Sequence, residues 1–296
     1  MKVYLELPTQ NRGLQRVYNA LVKYKPNEIE ITHDESEADL VIFHIIGRHD
    51  QVESKTIDLR ARDIPYVMIQ YVLKSTQKPS AVEWIDMWNN AKLVWSYYDL
   101  KQIVIDEGLR FEPFNPDNFY FAPLGADSEV FYERNMNVGT ERPITITVLS
   151  QHALSEGARE ASFAVQNVGG HLMHIGHNLR RKNTSYIENA EDDRLAKVYS
   201  VSKYVGGLRR IEGFELPCIE GLLCGARPIL FDRPHYRKWY GDLAEYIPEN
   251  SREGVIESLT ELFKKEVRPV TLAEKSVVLD RFDWKRIITN FWNKLI

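Results

Sequence analysis

The chain has 296 residues, enough for one large or two ordinary domains, and its 44% hydrophobic and 27% charged content is typical of a globular protein. Its net charge of −4 excludes an overall positive field that would draw it to nucleic acid or anionic lipid. No stretch approaches about 18 apolar residues and the N-terminus carries no secretory pattern, so we expect a cytoplasmic protein without a membrane-spanning helix.

The N-terminal residues predict a strand, a glycine-containing loop and a helix. Residues 2–7 alternate in hydrophobicity, and helical periodicity follows the loop TQNRGLQRV. This order is typical of the start of a doubly wound α/β domain. Arg12, Gly13 and Arg16 lie where such a loop can meet an anion. An ordinary turn with solvated arginines is the alternative interpretation.

Two further predicted strands, residues 38–44 and 64–71, end in side chains that can bind hydroxyl groups. His44 closes the first strand and Tyr71 the second. The carboxyl ends of parallel strands form the ligand-binding edge of an α/β sheet, so we place both side chains there. A structural histidine is the alternative for His44. No Cys, His or carboxylate neighbours show metal-ligand spacing, so we predict no metal site.

A second α/β domain is predicted to follow a polar linker. The linker, NMNVGTERP, spans residues 135–143 and contains both glycine and proline. New strands then end at Ser150 and Gly176. We therefore expect a first domain over residues 1–138 and a second over residues 143–275.

Residues 211–230, IEGFELPCIEGLLCGARPIL, predict a loop, a helix, a turn and a buried strand. Pro217 suits the first helical turn because its missing N–H has no partner there in any case. Gly225 suits the left-handed position after the helix. Cys218 and Cys224 lie on this helix, where burial in a reducing compartment is the simplest interpretation.

Two carboxylates flank the start of this helix. Glu212 precedes it, at the carboxyl end of the strand before, and Glu220 lies about one turn inside it. A helix N-terminus favours an anion such as a diphosphate, and a nearby carboxylate can accept hydrogen bonds from sugar or ribose hydroxyls. The segment is therefore suited to hold phosphates and hydroxyl groups together.

This segment resembles the signature of the retaining GT-B glycosyltransferases that use nucleotide-activated sugars, the GT4-like family. The match comprises EGFELP, Glu220, CGARP and the strand that follows. A second match lies within residues 119–131, where proline, glycine, aspartate and phenylalanine recur at the family's offsets. Glu215 stands where the family has glycine. The chain is short for this family, as a phage-type member would be.

The resemblance implies an α/β fold of GT-B type, with two doubly wound Rossmann-like domains facing a cleft. Residues 279–296 resemble the family's terminal segment, whose helix crosses back to the first domain. We therefore expect residues 276–296 to form one helical segment that packs on the N-terminal domain.

The resemblance also implies the activity: transfer of a sugar from a nucleotide-diphosphate donor, UDP- or GDP-sugar, with retention of configuration and without a metal or other cofactor. Glu220 would hold the ribose, and Glu212 the sugar hydroxyls. The implied donor-binding set is Glu220, Gly213, Phe214, Glu215, Leu216, Gly176 and Ser150. The implied acceptor-side set is Arg12, Gly13, His44 and Tyr71.

The loop after the first strand of the second domain departs from the family. Gln151 and Glu156 stand where the family has the cations that pair with the diphosphate. Arg209 or Arg210, just before Glu212, is the substitute we favour for stabilising the leaving diphosphate. Arg159 and the basic residues 180–182 are alternatives, and a solvated charged face is a further one.

Two other functions compete with this hypothesis. In the main hypothesis the acceptor is a glycan, a lipid-linked acceptor or a small molecule. In the first competing function, the same chemistry acts on a hydroxymethylated base in phage DNA. The acidic net charge argues against that function. In the second, the chain is a non-catalytic nucleotide-sugar-binding protein, which the altered phosphate loop and Tyr71 both suggest.

Overall fold

The structure is a computed structural model that describes residues 1–8, 12–45, 49–73, 80–110, 116–135, 145–149, 157–210 and 213–296. The chain divides into two compact units. Unit 1 comprises Met1–Leu124, Ile211–Phe214 and Trp284–Ile296. Unit 2 comprises Gly125–Arg210 and Glu215–Asp283. No helix in the described part of the chain is both long and apolar enough to span a membrane.

Unit 1 contains a six-stranded sheet whose neighbouring strands are all parallel. Its strands are β1 (Lys2–Leu5), β2 (Glu30–Thr32), β3 (Leu40–Ile45), β4 (Tyr66–Gln70), β5 (Leu93–Ser96) and β6 (Phe119–Phe121). The order is β2-β1-β3-β4-β5-β6. The strand order reverses at β1 and β3, and ligands bind beyond the carboxyl ends of such a pair.

In the described part of unit 1, the α-helices between these strands are α1 (Arg12–Lys23), α2 (His49–Ala61), α3 (Ile85–Asn90) and α4 (Leu100–Asp106). Every residue of β4 is buried, as expected for a parallel strand with both faces covered. The core of unit 1 is rich in tryptophan, with Trp84, Trp88 and Trp95 almost fully buried. The tryptophans that follow β4 are therefore core residues.

Unit 2 contains a second parallel six-stranded sheet. Its strands are β7 (Thr145–Leu149), β8 (His171–Ile175), β9 (Thr184–Ile187), β10 (Tyr204–Gly207), β11 (Arg227–Phe231) and β12 (Glu245–Ile247). The order is β12-β11-β10-β7-β8-β9, which is the Rossmann order 3-2-1-4-5-6 read from one edge. The topology reverses between β7 and β10, so the carboxyl end of β10 is the expected ligand edge.

Among its described residues, unit 2 has the α-helices α5 (Ala158–Asn167), α6 (Asp192–Val201), α7 (Leu216–Leu223), α8 (Pro234–Tyr240), α9 (Arg252–Lys264) and α10 (Leu272–Arg281). Its core joins the sheet to α5 and α9, with Leu172, Tyr204 and Phe263 among the buried residues. Parallel strands alternating with helices give the predicted doubly wound architecture in this unit as in unit 1.

The terminal segment is two helices rather than the single one predicted. Helix α10 ends at Arg281, and α11 (Trp284–Asn293) begins three residues later and belongs to unit 1. Phe282 closes α10: its N–H donates to the carbonyl of Val278 at 2.8 Å, and its carbonyl accepts a hydrogen bond from the backbone N–H of Ala126 at 3.0 Å. The last carbonyls of a helix have no partner within it, and this contact inside unit 2 satisfies one of them.

Helix α11 packs into unit 1, as the expected return of the terminal helix requires. The indole N–H of Trp292 donates to the carbonyl of Leu21 at 3.3 Å. The hydroxyl of Tyr120 donates to the carbonyl of Ile287 at 2.7 Å. Phe291 lies with its ring 5.4 Å from that of Trp95. The first unit is therefore completed by residues that follow the second unit in the sequence.

Candidate active site

The candidate site is built around β10, α7 and the loop between them. Strand β10 is buried along its whole length and lies between β7 and β11. Leu208, Arg209 and Arg210 follow it at the ligand edge. Glu212, the first predicted carboxylate, lies outside the described residues. Its role therefore stays a prediction.

Helix α7 lies within the segment predicted to contain a helix and packs directly on β10. All eight of its residues are buried, with Pro217 in the first turn. A Cβ added to Gly221 would lie 2.6 Å from Cγ1 of Val205, so glycine permits this close approach. Gly225 has a φ of +92° just after the helix, a conformation that favours glycine. The local structure predicted for residues 213–230 is therefore present.

Glu220 lies inside the packing of unit 2. Its side chain is only 1% exposed, on a helix whose other residues are also buried. The predicted role of Glu220 in binding the ribose stays a prediction.

The two cysteines of this region are not reactive groups. Cys218 and Cys224 are both free thiols and both buried. Burial raises the pKa of Cys218 well above its usual value, and raises that of Cys224 to about 12. Since the thiolate is the nucleophilic form, both thiols are inert packing groups at neutral pH.

Glu215 is a second buried carboxylate of this region, again 1% exposed, and it occupies the N-cap position of α7. Its Oε1 accepts a hydrogen bond from the hydroxyl of Tyr236 at 3.2 Å. The hydroxyl of Tyr240 donates to its backbone carbonyl at 2.6 Å. The structure therefore places Glu215 in a pocket of tyrosine hydroxyls within unit 2.

Both arginines predicted to replace the missing cations have carboxylate partners. The Nε of Arg209 lies 3.7 Å from Oε2 of Glu215. A guanidinium nitrogen of Arg210 lies 3.4 Å from Oε1 of Glu249. Arg233, nearly buried, binds the same Glu249 through its Nε at 2.7 Å and donates to the carbonyl of Arg210 at 2.5 Å. The carboxyl edge of the sheet thus carries alternating charges.

Sequence reasoning missed Arg233 and Glu249. Arg233 follows β11 and Glu249 follows β12, so both stand at the same sheet edge as Arg210. The signal was available, because charged residues just after adjacent parallel strands are neighbours in space. No motif of the family marks these positions in the sequence.

In unit 1, two tyrosines after β5 contact the glycine of the signature. A Cβ on Gly213 would lie 2.3 Å from Cζ of Tyr98 and 2.5 Å from Cε2 of Tyr97. The ring of Phe214 lies 5.8 Å from that of Tyr97. Only glycine fits at position 213 against these rings. The tyrosine pair is a second feature that sequence reasoning missed, and its only signal is its place at the end of a strand.

His44 and Tyr71, predicted to share the ligand edge of unit 1, are in direct contact. Nδ1 of His44 lies 2.8 Å from the hydroxyl of Tyr71, with the two rings stacked 5.9 Å apart. Tyr97 donates its hydroxyl to the carbonyl of Tyr71. Nε2 of His44 is buried and, in the described part of the chain, has no hydrogen-bond partner.

The environment keeps His44 neutral. Burial, assisted by the charge of Lys55, lowers the pKa of His44 to about 4. The unfolded chain, with a histidine pKa near 6.5, binds more protons below that value, so stability is lost as the pH falls from about 6.5 to 4. We expect His44 to cost the wild-type protein about 2–3 kcal/mol of unfolding free energy over this range.

Urea unfolding at pH 7 and pH 4.5 tests this expectation, with His44→Asn as the matched variant. The asparagine amide cannot titrate, so the pH-dependent loss of stability should shrink in the variant. Equal losses in both proteins would mean that His44 titrates normally in the folded state.

The remaining predicted site residues are distributed as follows. Gly13 lies in the first turn of α1 and Arg12 begins that helix, although the Arg12 side chain lies outside the described structure. Gly176 follows β8 with a φ of +145°, and its N–H donates to the carbonyl of Ile187 at 2.9 Å. Ser150 lies outside the described residues, as does the altered phosphate loop. In the described ranges, no cluster of three His, Cys, Asp or Glu side chains could hold a metal.

No protein-family model matches this sequence, and no curated protein matches it. Solved structures do resemble it. Anabaena HepE in complex with UDP and glucose has a TM-score of 0.74 at 11% identity, over 99% of this chain and 98% of that one. Sucrose-phosphate synthase from Thermosynechococcus elongatus has a TM-score of 0.71 at 11% identity, over 99% and 97%.

A glycosyltransferase from Rickettsia africae has a TM-score of 0.60 at 12% identity, over 99% of this chain and 97% of that one. These structural similarities span nearly the whole of each chain. At identities of 11–12%, they are evidence for a shared fold only. Together with the two parallel sheets of unit 1 and unit 2, they show that the chain has the GT-B fold, built from two Rossmann-like domains.

Proposed function

We propose that this protein is a glycosyltransferase that moves a sugar from a nucleoside diphosphate donor to an acceptor hydroxyl. The observation that carries the proposal is the position of the signature segment: it joins the carboxyl end of β10, at the topological switch of a Rossmann-ordered sheet, to the start of α7. Crystal structures of HepE, which has a similar fold, hold UDP or UDP-glucose, so a UDP-sugar is the first donor to test.

The donor's nucleotide is assigned to unit 2. The first N–H groups of α7 and its dipole favour the diphosphate, and Glu220 on the same helix is assigned to the ribose hydroxyls. Arg209 and Arg210 follow β10 and supply fixed positive charge where negative charge grows on the leaving group. Glu212, with the backbone of Gly213 and Phe214, is assigned to the sugar hydroxyls.

The acceptor is assigned to the His44 and Tyr71 pair of unit 1. The hydroxyl of Tyr71 contacts Nδ1 of the imidazole at 2.8 Å, and we assign the other ring nitrogen, Nε2, to a hydroxyl of the acceptor. Because the pKa of His44 is lowered to about 4, the imidazole is uncharged at neutral pH and suits a neutral acceptor hydroxyl. Retention of configuration and independence from metal ions belong to the same proposal and rest on the resemblance of the signature.

Ligand-induced stabilisation tests the donor assignment. At about 100 times its dissociation constant, UDP or a UDP-sugar should add about 2.7 kcal/mol to the unfolding free energy. A thermal-shift screen of UDP-, GDP- and ADP-sugars measures this, with uridine as the control that lacks phosphate. No shift with any of these nucleotides would contradict the proposal.

A non-catalytic nucleotide-sugar-binding protein is the second candidate. The observation that favours it is the neutralisation of Arg209 by Glu215 and of Arg210 by Glu249. Incubation with UDP-glucose in the absence of acceptor separates the two functions, because an enzyme slowly hydrolyses UDP-glucose to UDP and glucose, whereas a binding protein does not.

NMR of the anomeric proton in a product of transfer tests the proposed retention of configuration.

A further inference from the structure

The interior of unit 2 provides both space and hydrogen bonds for Glu215. Gly207, the last residue of β10, has no side chain, and a Cβ there would lie 2.7 Å from Cγ of Glu215. Tyr236 donates its hydroxyl to the carboxylate, and the hydroxyl of Tyr240 contacts both the N–H and the carbonyl of the Glu215 backbone. Two separate elements, β10 and α8, therefore accommodate this one residue.

The carboxylate stands beside both positive features proposed to hold the diphosphate. It occupies the N-cap of α7, where the helix dipole is positive, yet makes no capping hydrogen bond to the helix. It also lies 3.7 Å from the guanidinium of Arg209, whose side chain is 20% exposed. A negative charge so close to both features cancels part of the field that an incoming diphosphate experiences.

We propose that Glu215 is an internal counter-ion that competes with the donor's diphosphate for Arg209 and for the N-terminus of α7. It thereby sets a low affinity for the diphosphate group, in substrate and in leaving nucleotide alike. This inference rests on the proposed function. It makes Glu215 a residue that tunes donor affinity through its charge rather than one that holds the sugar.

Isothermal titration with UDP and with uridine tests the proposal on Glu215→Gln and Glu215→Gly. Glutamine keeps an oxygen for the Tyr236 hydroxyl, and glycine is tolerated at an N-cap. Each variant removes one negative charge, so UDP should bind about tenfold more tightly than to the wild type. Uridine, which has no phosphate, should bind each protein equally.

Glu261→Gln is the matched control, because it removes the same charge from an exposed residue of unit 2 that pairs only with Lys264 in the described structure. Its UDP affinity should equal that of the wild type. Arg209→Gln should weaken UDP binding, and the double variant Arg209→Gln/Glu215→Gln should regain part of the loss. Circular dichroism and thermal unfolding establish that each variant is folded.

The proposal is overturned if UDP binds the Glu215 variants with unchanged or lower affinity, or if uridine affinity rises equally. It is also overturned if neither variant folds, since Glu215 would then be a structural residue of unit 2. Failure of the wild-type protein to bind any nucleoside diphosphate would refute the proposed function itself, and this inference with it. Normal UDP binding to the wild type with unresponsive variants refutes the inference alone.

Discussion

The Gly213→Ala variant is expected to lose about 100-fold in kcat/KM for the proposed sugar transfer, because a misplacement of about 1 Å at a reacting group has an effect of this size. Its new methyl group would overlap the ring of Tyr98 at 2.3 Å and that of Tyr97 at 2.5 Å. Both rings are buried, so the loop that carries Glu212 must shift instead. Steady-state kinetics with UDP-glucose measure the loss.

A second substitution separates this displacement from general damage. Tyr98→Ala in the Gly213→Ala background removes the atom closest to the new methyl group, so part of the lost activity should return. UDP affinity should change little in the single variant, since the nucleotide is assigned to unit 2. Full activity in Gly213→Ala would show that the contact with the tyrosine pair does not position the loop.

The Glu274→Gln variant is expected to lower the unfolding free energy by about 3–5 kcal/mol, because it leaves a buried guanidinium without its counter-charge. Arg227 is fully buried in β11 and contacts Glu274 at 2.7 and 3.1 Å. The guanidinium of Arg227 also donates hydrogen bonds to the carbonyl oxygens of Leu243, Arg268 and Pro269. Urea unfolding at pH 7 measures the change.

Because of the pair formed by Arg227 and Glu274, we expect the unfolding free energy to depend on pH. Burial alone would raise the pKa of Glu274, but hydrogen bonds from Arg227 and Thr271 and the charge of Arg227 outweigh it and lower the pKa to about 2. The stabilisation is therefore complete above about pH 4.5 and is lost as the pH falls toward 2. In Glu274→Gln this acid-dependent loss should be smaller.

The exposed pair of Glu261 and Lys264 provides the reference for this stability experiment. Both side chains are more than half exposed, and surface pairs contribute little, so Glu261→Gln should change stability by less than about 0.5 kcal/mol. Equal small effects in Glu261→Gln and Glu274→Gln would show that Arg227 gains nothing from its partner.

Features that depend on local periodicity could be predicted from the sequence. The strand ending in His44, the helix from Leu216 and the left-handed Gly225 each follow from side chains a few residues apart. The GT-B fold was predicted from the resemblance of residues 211–230 to a family signature, because that signature implies one overall fold as well as a local structure. The break between α10 and α11 was not predicted, because residues 281–284 contain neither proline nor glycine and the partner of the Phe282 carbonyl, Ala126, is distant in the sequence.

The candidate site was only partly accessible from the sequence for the same reason. The direct contact of His44 with Tyr71 follows from the pairing of β3 with β4, which the position of both at strand ends suggested. The partners of Glu215 could not be inferred, because Tyr236 and Tyr240 reach it from α8, an element with no signature of its own. The partners of a buried charge are residues that are close in the folded structure, and the periodicity of the sequence does not identify them.

The discontinuity of unit 1 has a consequence for the order in which the protein matures during synthesis. Residues 1–124 supply the sheet, but Phe291 and Trp292, which fill its interior, are translated last of all the unit's parts. Unit 2 has all its strands and helices by residue 283, so it can close while the nascent unit 1 still exposes the apolar surface that α11 covers. We therefore expect that surface to stay exposed until residues 284–296 leave the ribosome.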